Sequence, residues 1–294
     1  MREKYLDGLR GWAAIFVLLG HIGPNFLFAT YPLPILPFFL DGQLAVYIFF
    51  VLSGYVLSIE FFRTGRKKAI LDLALRRYPR LTIPIFASCL FAYTILKLGL
   101  FSNLAAADLA KSGWLKLFYT FEPSFIDFLN FSLWDVYASY SAERSYNAVL
   151  WTMPYEMAGS FIILGLLLLS SRNIYMQIGS IGAFICLSAW SNSPFLAFSL
   201  GMALASGCSR PWWENHKNHL LSDTTTWLML FLSLGLAMFR LPSRDPIVLS
   251  FISAAILLSV LVNRPLQNGL AGRLSLWLGA ISFPLYCMRS GNTH

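Results

Sequence analysis

The sequence predicts an all-α, polytopic integral membrane bundle of nine or ten transmembrane helices, forming one domain over residues 1–294. Three observations predict it. Hydrophobic residues make up 57% of the chain and charged residues only 12%, where a soluble domain carries about 25% charged residues. The mean hydropathy is +0.61. The apolar stretches approach the ~20 residues that a helix needs to cross hydrocarbon, whereas barrel strands alternate over ~10 residues. In lipid every backbone polar group must be satisfied internally, and at these lengths only helices do so.

Nine spans follow in order, at about Gly8–Phe28, Leu44–Phe62, Leu81–Leu100, Asn147–Leu169, Ile174–Trp190, Pro194–Ser206, Thr226–Phe239, Ile247–Val262 and Ser275–Met288. The first apolar run lacks a small-residue cleavage site and is followed by further spans, so it reads as a retained helix rather than a signal peptide. The span from Pro194 is short, and Gly201 and Gly207 allow close helix approach there. Residues 112–137 are rich in aromatics yet carry Lys116, Glu122, Asp127 and Asp135. They form either a tenth, amphiphilic span or a helix lying in the interface. The four cysteines are scattered through apolar runs and make neither a disulfide framework nor a metal spacing.

Charge is sorted between loops. Residues 63–80 hold seven Lys or Arg and one acid, Asp72, whereas residues 23–43 hold no Lys or Arg. The positive-inside rule therefore places the basic loop and the N-terminus in the cytoplasm. Beyond residue 112 the side depends on the ambiguous segment. Without a span there, Arg172, Arg210, Lys217, Arg264 and Arg273 also fall inside; with one, they fall outside. The net charge of +8 suits anionic lipid heads or a phosphorylated ligand. Nucleic acid would need a solvated basic domain, which the sequence lacks.

Three places carry candidate chemistry. In the first span Arg10 and His21 are eleven residues apart, so at 100° per residue they differ by only about 20° around the axis. Asp7 shares their side, and Ala13, Ala14 and Val17 between them are small. Polar groups over small neighbours describe a helix face lining a cavity; the plainer reading makes Asp7 and Arg10 interfacial anchors and His21 a far-end cap. In Leu150-Trp-Thr-Met-Pro-Tyr-Glu156, a carboxylate lies well inside an apolar span, which is costly unless it is protonated or partnered. It is a functional group or a structural carboxylate paired with an arginine on another helix. The basic loop ends in Arg76-Arg-Tyr-Pro-Arg80, where arginine forks suit phosphate; on charge alone it is first an inside signal and lipid anchor. His216 and His219 near Cys208 have no standard metal spacing and read as an interfacial loop.

These residues resemble the acyltransferase-3 family of multispanning membrane enzymes that O-acylate cell-surface and secreted carbohydrates. The resemblance begins at Tyr5-Leu-Asp-Gly-Leu-Arg-Gly-Trp-Ala-Ala, where Arg10 and His21 match the family's arginine, ten residues, histidine pattern. It runs on through Ala45-Val-Tyr-Ile-Phe-Phe-Val-Leu-Ser-Gly54, Arg76-Arg-Tyr-Pro-Arg-Leu-Thr-Ile-Pro84 and the tryptophan-to-glutamate motif ending at Glu156. It resumes at Leu278-Gly-Ala-Ile-Ser-Phe-Pro-Leu-Tyr286. The resemblance implies transfer of an acyl group, acetyl above all, from acyl-CoA as co-substrate to a carbohydrate hydroxyl, in a bacterial-type inner or plasma membrane and with no permanently bound cofactor or metal. It implies His21 as the general base, which suits an imidazole that titrates near neutrality. Arg10 and Asp7 then shape the cavity, Glu156 orients His21 or the acceptor, and Arg76, Arg77 and Arg80 grip the coenzyme's phosphates. A secondary transporter for an anionic solute is the rival, since the same intramembrane groups suit proton relays, although paired broken helices in two matching halves are missing from the pattern. The family reaches a histidine within three residues of Tyr286, and here Arg289 stands instead. With about 14 apolar residues the last helix falls short of a span, so a truncated C-terminus and an inactive remnant are the third expectation.

Overall fold

The computed structural model describes residues 3–22, 42–109, 113, 116, 118–170, 173–213, 222–238 and 245–281. Helix is the only regular structure among them. The helices are α1 (Lys4–Ile22), α2 (Gly42–Thr64), α3 (Lys67–Lys97), α4 (Asn103–Leu109), α5 (Phe125–Asn130), α6 (Met153–Leu169), α7 (Ile174–Trp190), α8 (Phe195–Cys208), α9 (Asp223–Met238), α10 (Pro246–Val262), α11 (Arg264–Leu270) and α12 (Arg273–Ile281). A wide turn, Phe131–Asp135, carries α5 on to Val136–Ala138, and a tight 3-10 turn, Ala148–Thr152, leads into α6.

A helix stands at each of the nine expected places. Three segments are long and apolar enough to cross a bilayer by themselves: Gly42–Thr64, Lys67–Lys97 and Ala148–Leu169. The pair Pro246–Val262 and Arg264–Leu270 makes a fourth only when both helices are taken as one span, and it is bent by 95° at the break; Ile174–Trp190 and Phe195–Cys208 are shorter apolar helices. The chain is thus an all-α membrane bundle. The expected ends of the first and last spans, and the shortened last helix, lie outside the described residues.

α2 is the central element. Its flanks are buried from Leu44 to Phe61 against α1, α8 and α10. It can be approached this closely because of two glycines. A Cβ on Gly201 of α8 would come within 2.1 Å of the Val51 carbonyl oxygen, and one on Gly54 within 2.2 Å of the Phe198 oxygen. Small residues let backbones touch, so dispersion replaces the hydrophobic drive that lipid does not supply. Gly207, expected to act likewise, has nothing within 4 Å of its Cβ position and takes no part. α1 packs on α12 in the same manner through Gly11 and Gly279, and on the end of α11 through Gly8, with Trp12 Nε1–H donating to Ser275 Oγ at 3.1 Å.

Polar contacts fix which helix ends lie together. At one end Arg63 pairs with Glu3 at 2.9 Å, joining the end of α2 to the start of α1. There too Lys67 Nζ donates to the Leu168 carbonyl at 2.8 Å. Toward the other end Asn147 Nδ2–H donates to Ser88 Oγ at 2.6 Å. Hence α3 and α6 are antiparallel, and the intervening chain returns on the side it left. The helix Phe125–Ala138 within it is about 21 Å long, short of the ~30 Å hydrocarbon core. It forms no tenth span. Tyr155 beside Phe195, 5.8 Å between ring centres, brings the starts of α6 and α8 together, so α8 ends with Arg210 at the basic end. Asp245, which caps α10, acts electrostatically on Tyr47 near the start of α2, so α10 also ends, before Arg264, at the basic end. The parity left open by the sequence thereby resolves for Arg210 and Arg264 in favour of one shared positive end.

The aromatics between Phe121 and Leu150 form a second core over the far half of α3. Tyr93 stacks on Phe128 at 5.3 Å, and Phe121 meets Tyr146 edge-on at 5.1 Å. Burial pushes the Tyr146 hydroxyl up to about 12, with Asp127 adding to the effect. The segment that looked amphiphilic is a cap on the far end.

Candidate active site

One cavity of about 290 Å³ runs along the bundle axis between α1, α2, α3 and α6. Arg10, Ala14 and Val17 line it from α1, confirming for these residues the helix face marked by small side chains. α3 contributes Leu73, Arg77, Arg80 and Leu81, an i, i+4, i+7, i+8 stripe. α2 contributes residues from Val46 to Leu57, including Phe49, Phe50 and Ser53, and Glu156 enters from the first turn of α6. The walls are mainly apolar, with a few converging polar groups, as in small-molecule sites generally.

The polar centre is built on Glu156. Arg77 Nη2–H and Ser53 Oγ–H both donate to its Oε1, the latter at 2.6 Å. Arg77 and Glu156 are both buried, so each charge balances the other where either alone would be costly. Oε2 of Glu156 accepts no hydrogen bond among the described residues. The Arg77 Nε–H is buried and has no partner among them either. One donor and one acceptor are therefore left unused beside the cavity.

This centre lies deep. Ser53 is ten residues before Arg63, Arg77 ten after Lys67 and Glu156 twelve before Leu168. At 1.5 Å per residue all three are about 15–18 Å from the basic end. Sequence reasoning brought forward Arg10, Arg77, Arg80 and Glu156, and the structure unites them around one cavity. Asp7 sits beside Arg10 with 3.9 Å between their charged atoms, outside the lining. Arg76 is exposed on another side of α3 and does not reach the site. Arg77 is committed to Glu156, which realises the pairing of that carboxylate with an arginine on another helix. The His21 side chain, and with it any approach to Glu156, lies outside the described residues; position 21 continues the Arg10, Ala14, Val17 series along α1. Ser53 was missed, because a serine in Phe-Val-Leu-Ser-Gly reads as an ordinary packing residue. No group of three or more His, Cys, Asp or Glu able to hold a metal occurs among the described residues.

A family model described as an acyltransferase domain, acyltransferase-3, matches residues 3–288. The chain belongs to the acyltransferase-3 family. It is also similar to the O-acetyltransferase PaAT-1 of Phomopsis amygdali, at 27% identity over 213 residues. That match takes in 58% of this chain and 41% of the relative, so the chain spans well under half the length of that protein. No solved structure matches. The cavity thus lies within an acyltransferase domain, and the segments that line it carry the first four of the five blocks of resemblance.

Proposed function

We propose that this membrane protein transfers an acyl group, acetyl in the first instance, from acyl-CoA to a hydroxyl of a carbohydrate acceptor inside the axial cavity. The observation that carries the reading is the convergence of Arg10, Arg77, Arg80 and Glu156 on one apolar cavity, since ionisable groups within a bundle are retained for function. Membership of the family and the likeness to the O-acetyltransferase of Phomopsis amygdali support acyl transfer to oxygen.

On this reading the basic end faces the cytoplasm. The coenzyme's phosphates rest there among exposed cations, Arg66, Lys67 and Lys68, where arginine forks grip phosphate oxygens. The pantetheine arm extends inward past Leu57 and Leu73, so that the thioester reaches the Glu156 level. The acceptor enters from the far end, past Val46 and Val149. A sugar hydroxyl is a weak nucleophile, and His21 removes its proton as it attacks. Arg10 and Asp7 set the charge of the cavity on the coenzyme side. Glu156, whose Oε2 accepts no hydrogen bond among the described residues, accepts one from the acceptor or from His21.

The test is thioester consumption by purified protein in detergent or nanodiscs. Supplied with acetyl-CoA and an oligosaccharide, the protein releases free coenzyme A thiol in step with acetyl ester on the sugar. Uptake of an anion into proteoliposomes with no thiol release overturns the reading in favour of a transporter.

A further inference from the structure

The unused Arg77 Nε–H has the geometry of a catalytic donor. The Arg77 side chain lines the cavity, its Nε–H is buried just behind that surface, and nothing among the described residues accepts from it. Buried donors in native structures are almost always paired, so an unpaired one calls for a reason. The guanidinium is also fixed in place. Glu156 Oε1 holds its Nη2, Ser53 holds the same oxygen, and the Ser160 hydroxyl bonds the Glu156 backbone carbonyl at 2.5 Å. A donor locked by neighbours and left without an acceptor costs no reorganisation when charge develops in front of it.

Depth separates this role from phosphate binding. Arg77 lies about 15 Å from the basic end, between Leu73 and Leu81 and facing Phe49 and Phe50 across an apolar cavity. Doubly charged, hydrated phosphates belong with the exposed cations at the mouth. The part of acyl-CoA that suits the Arg77 level is the uncharged thioester at the tip of its arm. A cation already balanced by a carboxylate is poorly suited to hold a permanent anion, yet well suited to a transient one.

We propose that Arg77 is a catalytic residue whose Nε–H polarises the thioester carbonyl and holds the oxyanion of the tetrahedral intermediate; this rests on the acyl-transfer reading above. As the acceptor hydroxyl oxygen bonds to the carbonyl carbon, the base takes its proton and the C=O electron pair moves to oxygen, where Arg77 donates. Collapse restores C=O and breaks the C–S bond. Coenzyme A leaves as the thiol, with the proton returned from the base, and the ester stays on the acceptor. Ser53 is a positioning residue, acting on Arg77 through Glu156.

The decisive variant is Arg77→Lys, which keeps the positive charge beside Glu156 and removes the Nε–H. Its kcat falls by about 10²–10³, the loss seen when an oxyanion donor is removed, while KM for acetyl-CoA and the Kd for free coenzyme A stay within about threefold of the parent. A phosphate-gripping arginine gives the opposite split, with weakened coenzyme A binding and a near-parental kcat, and that outcome overturns the proposal. Parental kcat and parental binding together overturn it as well. Should the lysine variant fail to accumulate, the charge-neutral pair Arg77→Met with Glu156→Gln replaces it, because balanced removal of a buried ion pair is tolerated. Coenzyme A binding then reads the same split: retained if Arg77 acts at the carbonyl, lost if it holds phosphate. Absence of thioester consumption by the unmodified protein fells the acyl-transfer reading and this inference with it; activity in the unmodified protein with an indifferent Arg77 fells this inference alone.

Discussion

Arg77 and Glu156 carry opposite charges where either one alone costs several kcal/mol of uncompensated burial. Substitutions at this centre therefore read out cleanly only when they preserve charge balance. Position 21 is different. It lies on the face of α1 that already lines the cavity at Arg10, Ala14 and Val17, about 10 Å further from the basic end than the Arg77 level. His21→Gln retains hydrogen bonding but exchanges no proton near neutral pH. It lowers acyl transfer by about 10²–10⁴, the worth of a general base, while the amount of folded protein in the membrane matches the parent. Activity assay beside quantitative immunoblotting checks both halves. A glutamine variant that keeps most of its activity makes His21 a structural residue and passes the base role to Glu156. Arg10 and Glu156 were legible because an ionisable residue stands out in an apolar run. The choice of Arg77 over Arg76 was not, since two adjacent arginines look alike until the phase of α3 is known. Only the neighbours Leu73 and Leu81 on the cavity stripe distinguish them, and Pro79 obscured whether the helix ran on.

Helix pairs in this bundle owe their spacing to particular glycines rather than to glycine content. Gly201 and Gly207 looked equivalent in the sequence, both small residues in one short span. A side chain at Gly201 runs into the Val51 oxygen and the Gly54 backbone, while one at Gly207 meets open space. Backbone cannot yield as a side chain does, so overpacking there moves α8 away from α2 and disturbs the wall that carries Phe50 and Ser53. Gly201→Leu consequently loses at least the ~1–3 kcal/mol of ordinary overpacking, seen as a lowered Tm in detergent, and loses activity with it. Gly207→Leu stays near the parental Tm. Equal Tm values for the two variants discredit the close α2–α8 approach. Residues 112–137, open in the sequence between a span and an interfacial helix, needed the structure for a related reason. Phe121, Phe128 and Phe131 pack on Tyr146, and Phe128 also on Tyr93 of α3, and no local pattern reveals those partners.

At the scale of the whole molecule, the antiparallel pairing of α3 and α6 joins the charge pattern to the cavity. Glu3, Arg63, Lys67, Arg210 and Arg264 gather at one end of the bundle, and the aromatic cap over residues 121–150 occupies the other. The positive-inside rule weighs Lys and Arg in short loops near span ends. Here it acts on several loops at once, and on the proposed function the basic end is the cytoplasmic one. On that proposal acyl-CoA enters the cavity from the basic end and the acceptor from the opposite end. Single cysteines in a background with all four native cysteines replaced put this to the test, using an impermeant maleimide added to intact cells. Ser102→Cys, in the segment following α3, and Glu143→Cys, before α6, both react from outside, because the chain between them does not cross. Lys67→Cys reacts only after permeabilisation. Labelling at Ser102 but not Glu143 restores a tenth span and breaks the α3–α6 pairing on which the Arg77–Glu156 centre depends. Labelling of Lys67→Cys from outside inverts the bundle, placing the exposed cations away from the coenzyme and removing the direction of transfer, even if the ion pair itself is intact.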